Sequence, residues 1–157
     1  MKYWLLKSDP EEFGWDDLKS LPGKETTWDG VRNYQARNFL KEMKTGDRAF
    51  FYHSSTKPQI IIGIITIIRE AYPDPTQFEK DHAQYDPKAT PDNPIWFMVD
   101  IRYEEDINPP ITREELKNTG KLSEMLLFRN SRLSVVPVNP DQWQTITNLC
   151  KKNSRNI

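Results

Sequence analysis

Ile60-Ile61-Ile62-Gly63-Ile64-Ile65-Thr66-Ile67-Ile68-Arg69 is the stretch on which the fold class turns. Interrupted by Gly63 and Thr66, it is far too short to cross a bilayer. Its near-continuous isoleucines predict a strand buried on both faces, as at the centre of a closed sheet. Arg48 to His53 reads as a strand just before it, and the turn Ser54-Ser55-Thr56-Lys57-Pro58-Gln59 joins the two as a hairpin. Further strands are predicted over Lys2–Lys7, stopped by Asp9 and Pro10, over Ile95–Tyr103 and over Leu133–Val138. Trp15 to Leu21 reads as a short helix with Trp15, Leu18 and Leu21 on one side, closed by Pro22 and Gly23. A second helix over Tyr34–Lys44 carries Ala36, Phe39, Leu40 and Met43 at the spacing of one apolar face and ends before Gly46, suited to a left-handed cap. Pro109-Pro110 separates the Ile95–Tyr103 strand from a helix opened by Thr112, with Glu115 completing a capping box. Leu122–Phe128 is a short helix or turn. A last helix starts at the cap Asn139 and at Pro140 and buries Trp143, Ile146 and Leu149. Five or six strands mixed with short helices make an α+β fold around a curled sheet or small barrel. Without β-α-β alternation or a glycine-rich loop after a strand, a doubly wound nucleotide-binding fold is excluded.

A chain of 157 residues fits a single domain, placed here over residues 1–150 with a C-terminal tail over 151–157. Charged residues at 29% and aromatics at 11% exclude a disordered chain. The lone Cys150 excludes an internal disulfide and points to a reducing compartment. The first apolar run, Tyr3 to Leu6, meets Lys7 too early for a signal peptide, so the expectation is a soluble, intracellular, cytoplasmic protein without a membrane segment. Net charge is −1, but it is unevenly spread. Residues 28–69 hold seven Lys or Arg against three Asp or Glu, 107–157 eight against four, and 70–106 three against ten. Such a chain either folds with a positive face and a negative back or simply scatters solvated charge.

The chemistry concentrates in Trp28-Asp29-Gly30-Val31-Arg32-Asn33-Tyr34-Gln35-Ala36-Arg37-Asn38. An aromatic plate, a glycine, amides and arginines suit a flat heterocycle on a phosphate chain: the ring stacks, the amides read the base edge, the guanidinium groups hold phosphate. Each residue also has an ordinary reading. Trp28 is a core residue, Asn33 the cap of the helix beginning at Tyr34, and Arg32 and Arg37 solvated charge. Ser8 either caps the Trp15 region or contacts a base edge. Arg129 and Arg132 either clamp phosphate or pin the C-terminal strand. The acidic segment Tyr72–Pro94, with five prolines and no periodicity, is expected beside or behind a phosphate-binding surface.

Catalysis has little to stand on. His53 and His82 are the only histidines, and one cysteine leaves no zinc cluster, so no metal or cofactor is assigned. His53 neighbours Ser54 and Ser55, but adjacent strand residues point to opposite faces, whereas a Ser–His pair must converge. No phosphate loop, serine elbow or metalloprotease motif occurs.

Together Tyr3-Trp4-Leu5-Leu6-Lys7-Ser8-Asp9-Pro10, the Trp28–Asn38 motif, Gly46-Asp47, Phe51-Tyr52-His53-Ser54, Tyr72-Pro73-Asp74-Pro75, Trp96-Phe97-Met98-Val99-Asp100 and Ser131-Arg132-Leu133-Ser134-Val135-Val136-Pro137-Val138 resemble the EVE domain, a family of the PUA-like superfamily. The family often has Glu where this chain has Asp9. The resemblance implies a PUA-like pseudo-barrel with surrounding short helices. It also implies a non-enzymatic module that reads a modified base in nucleic acid, modified cytosine in DNA or a modified RNA base, architecturally related to the YTH readers. The base would flip into an aromatic pocket. Trp28 would stack on it, Ser8 and Asn33 would bond its edge, His53 and Ser54 would line the wall, and Arg32, Arg37, Lys57 and Arg132 would meet phosphates. Two other functions fit the residues. One is an enzyme acting on modified nucleic acid or a nucleotide, with Tyr72–Pro94 as a lid; the other is a protein-interaction module using the basic face.

Overall fold

A computed structural model describes residues 1–156. Six strands form one mixed sheet: β1 (Tyr3–Ser8), β2 (Glu25–Trp28), β3 (Arg48–His53), β4 (Ile60–Pro73), β5 (Phe97–Thr112) and β6 (Val135–Val138), in the order β2-β5-β4-β3-β1-β6. Only β1 and β3 run parallel; the other ladders are antiparallel. Five helices surround the sheet: α1 (Trp15–Ser20), α2 (Tyr34–Glu42), α3 (Arg113–Lys117), α4 (Leu126–Arg129) and α5 (Pro140–Arg155). The fold is α+β.

The isoleucine strand β4 lies between β3 and β5, as expected of a central strand. Ile61, Ile65 and Ile67 are fully buried, while Ile62 and Ile68 are only half-buried. The sheet is open rather than closed, because its edge strands β2 and β6 share no ladder. Helix α2 packs against β4, β5 and β6 and buries Ala36 and Leu40.

Gly63 interrupts the isoleucines for a steric reason: a Cβ there would sit 2.0 Å from the Trp15 ring. Trp15 lies over this gap, and its Nε1 donates to Asp106 Oδ1 at 2.7 Å, as does Lys19 Nζ at 2.9 Å. The hairpin of β3 and β4 forms as predicted. Pro109 and Pro110, predicted to separate a strand from a helix, lie inside β5 instead. The register jumps from Ile61↔Ile111 to Gly63↔Asp106, so residues 107–110 bulge out where a missing N–H costs no ladder bond. Helix α2 stops at Glu42, earlier than predicted, and Gly46 (φ +95°) turns the chain into β3 with its N–H on the Ile67 carbonyl at 2.8 Å. Asn139 caps α5 with Gln142 completing the box, and the helix runs on to Arg155. Trp143 of α5 stacks on Phe50 and Tyr3, with ring centroids 4.1 and 4.4 Å apart. No helix among the described residues is long and apolar enough to cross a membrane.

Candidate binding site

The C-terminal ends of β1 and β2 open onto a cavity of about 600 Å³, a size usual for ligand pockets. Ser8 ends β1 and Trp28 ends β2, so two sequence motifs meet at one concavity although twenty positions separate them in the chain. Glu25–Trp28 escaped sequence reading as a strand because four residues give almost no periodic signal. Its pairing with β5, through Trp28↔Val99, fixes where the indole sits. Trp28 is 8% exposed and packs edge-on against Phe51, with centroids 5.6 Å apart. It is therefore a core residue by most of its surface and a cavity wall by the remainder.

Beyond Trp28, the chain is held by a carboxylate that sequence reading left inside a patternless loop. Asp74 is fully buried and accepts from the Gly30 N–H (2.8 Å), Arg32 Nη1 (3.1 Å), the Thr76 N–H (2.9 Å) and Thr76 Oγ1 (2.6 Å). Burial pushes its carboxyl upward, but the hydrogen bonds from Thr76, Gly30 and Arg32 outweigh it and hold Asp74 below the usual carboxylate range. Gly30 takes φ +77° at this turn. The loop carrying Asp74 is pinned again by buried Gln77, which donates to the Asp74 and Trp96 carbonyls and accepts from the Ile95 and Trp96 N–H groups. Trp96 Nε1 donates to Asp86 at 2.8 Å. His82 and Gln84 of this segment line the cavity, so the acidic loop stands beside it as a fixed wall.

The structure reassigns several expected contacts. Arg32 lines the cavity, yet Nε and Nη2 donate to the Gln84 carbonyl, Nη1 to the Val31 carbonyl and Asp74, and Nη2 also to Thr76 Oγ1. All five of its N–H donors are occupied, which leaves none for a phosphate. Asn33 caps α2, its Oδ1 accepting the Ala36 N–H at 2.9 Å, and stays outside the cavity lining. His53 also lies outside it. Its Nε2 accepts the Trp15 N–H at 3.0 Å, and burial lowers its pKa, so the ring serves as a neutral acceptor docking α1. Ser54 gives its N–H to the Ser8 carbonyl at 2.9 Å, supporting the cavity from behind rather than lining it.

Arg37 projects from α2, donating to the Ile95 carbonyl and Asn38 Oδ1 while lying over the exposed Tyr34 ring at 5.0 Å. Lys57, in the β3–β4 turn, and Arg132, before β6, are exposed. None of these three has an ion-pair partner among the described residues.

Among the cavity residues that sequence reasoning missed, two carry charge next to expected ones. Lys7 lines the cavity with its ammonium on the Ser131 carbonyl at 3.1 Å, and burial followed by repulsion from Arg113 lowers its pKa. Its place just before Ser8 in the first motif was the available signal. Asp29 also lines the cavity, and its carboxyl is raised first by burial and then by Asp74. Among the described residues no group of three or more His, Cys, Asp or Glu side chains is placed to hold a metal ion.

The EVE domain model matches residues 2–149 of this chain. Thymocyte nuclear protein 1 of Danio rerio is 45% identical over 163 residues, covering 93% of this chain and 71% of the relative. Its Homo sapiens counterpart is 44% identical over 167 residues, covering 96% and 74%. The crystal structure of human THYN1 protein in complex with 5-methylcytosine-containing DNA superposes with a TM-score of 0.91 at 43% identity, covering 96% of this chain and 98% of the other.

Proposed function

The chain belongs to the EVE domain family, and from that premise we propose that it is a non-enzymatic, intracellular reader of a modified base in nucleic acid, 5-methylcytosine in DNA being the first candidate. The observation that carries this reading is the cavity faced by Trp28, in a fold shared with a relative solved on methylated DNA. The base swings out of its stack and enters beside the indole, which supplies a π face. The Ser8 hydroxyl donates to the Phe13 carbonyl, so toward a ligand in the cavity it can act only as an acceptor. Phosphates stay outside, where Arg37, Lys57 and Arg132 offer charge and Lys7 stands at the edge of the cavity.

A binding screen at one salt concentration tests this, with single- and double-stranded DNA and RNA, each with and without a modified base. Tighter binding to a 5-methylcytosine oligonucleotide than to its unmodified match is expected. Equal affinity for every modified and unmodified pair overturns the reading. Turnover of a modified nucleoside or oligonucleotide would overturn the non-enzymatic part alone.

A further inference from the structure

Resting on the reading of the cavity as a base pocket, we infer that Asp29 accepts a hydrogen bond from the exocyclic amine of the extruded base, so that the site admits 5-methylcytosine and rejects thymine.

The problem this solves is chemical. 5-Methylcytosine and thymine carry the same ring and the same methyl group, and they differ at C4, amine against carbonyl, and in whether N3 bears a proton. Stacking on Trp28 and contact with the methyl group therefore cannot separate them. A carboxylate can, because it accepts from the cytosine amine and meets only lone pairs on the thymine carbonyl. A site built to bond a polar group discriminates far more strongly than an apolar pocket judging shape.

Asp29 is the side chain placed for that task. It follows the indole plate directly and faces the same cavity. The nearby guanidinium that would otherwise neutralise it, Arg32, is tied to Asp74 and three carbonyl or hydroxyl oxygens. Asp29 has no ion-pair partner among the described residues. Of the other cavity carboxylates, Asp9 accepts the Glu11 N–H at 2.9 Å, and Glu12, exposed like Asp29, does not adjoin the indole in the chain. Asp29 stays accessible, yet the surrounding loop and Asp74 both disfavour its charge. An amine donor arriving with the ligand relieves that cost.

The test places 5-methylcytosine, cytosine or thymine opposite an abasic site, so that extrusion breaks no base pair in any of them. Wild type should bind the 5-methylcytosine oligonucleotide roughly tenfold or more tightly than the thymine one. Asp29→Asn, which offers a donor as well as an acceptor, should bring the 5-methylcytosine-to-thymine ratio towards one, and Asp29→Ala should do the same by weakening 5-methylcytosine alone. Thermal melts check that both variants fold. Unchanged ratios in both variants overturn the Asp29 assignment, and a persisting preference for 5-methylcytosine over cytosine would show that the base pocket itself survives. A wild type indifferent to thymine overturns the assignment as well, whereas indifference among all three bases overturns the pocket.

Discussion

Arg32 in the cavity wall and Arg37 outside the cavity lining belong to one eleven-residue motif, yet their surroundings differ. Arg32 faces a fully buried carboxylate and a ring of carbonyl and hydroxyl oxygens, and gives every donor to them. Arg37 lies over an exposed tyrosine, reaches one carbonyl and one amide, and has no carboxylate beside it. A guanidinium becomes structural where a buried acid can pair with it, whereas half-buried Arg37, bonded to one carbonyl and one amide, keeps two of its five N–H donors unbonded among the described residues. On the proposed reading the wall would supply shape and base selection, and the arginines and lysine outside it, Arg37, Arg132 and Lys57, a sequence-independent attraction.

That division is most easily broken at Asp74. Asp74→Ala strands Arg32 in the wall and should destabilise the fold by about 3 kcal/mol, measured by urea unfolding. A loss within a few tenths of a kcal/mol would show that the wall is not held by this pair. Next in size, Gly63→Ala pushes Trp15 off the sheet and should cost about 1–3 kcal/mol, with a shift in tryptophan fluorescence as α1 undocks. The effects of the cations outside the cavity lining are smaller and of a different kind. Arg37→Ala, Lys57→Ala and Arg132→Ala should each lower the slope of log K against log salt by about one, leaving the preference for a modified base unchanged. Arg32→Lys should destabilise the fold without altering that slope. If Arg32→Lys changes the slope and Arg37→Ala does not, the two regions have been assigned the wrong way round.

The smallest predicted effect concerns His53. The unfolded imidazole takes up a proton near pH 6.5, whereas the folded ring, lowered by burial, does so only at more acidic pH. Between those values the unfolded state binds more protons, so the His53 contribution is complete above about pH 6.5 and lost as pH falls through the folded value. His53→Gln keeps an acceptor for the Trp15 N–H and should flatten the stability difference between pH 7.5 and pH 5.5. An equally steep decline in the variant assigns the titration elsewhere.

What was legible in the chain tracks how local each interaction is. The hairpin of β3 and β4, the caps Asn33, Thr112 and Asn139, and the apolar face of α2 are written in neighbouring residues, and sequence reading found them. Trp28 was legible as a pocket residue only in part, since most of its surface belongs to the core. Asp74 and Gln77 were illegible, because their partners lie at Gly30, Arg32 and Trp96, and the prolines around them masked a hydrogen-bonded wall as a structureless loop. The role given to Arg32 failed for the same reason: its counter-ion is 42 positions away. His53 was read as a pocket wall, and only the docking of α1 explains why its ring nitrogen is already occupied.

The most direct test of the account compares wild type and Trp28→Ala on a duplex containing one 5-methylcytosine and on the matched unmodified duplex, at the same salt. Loss of the indole should weaken binding to the modified duplex by about ten- to a hundredfold and erase the preference, with the salt slope intact. A folded Trp28→Ala protein that keeps the wild-type preference would contradict the claim that this ring receives the base.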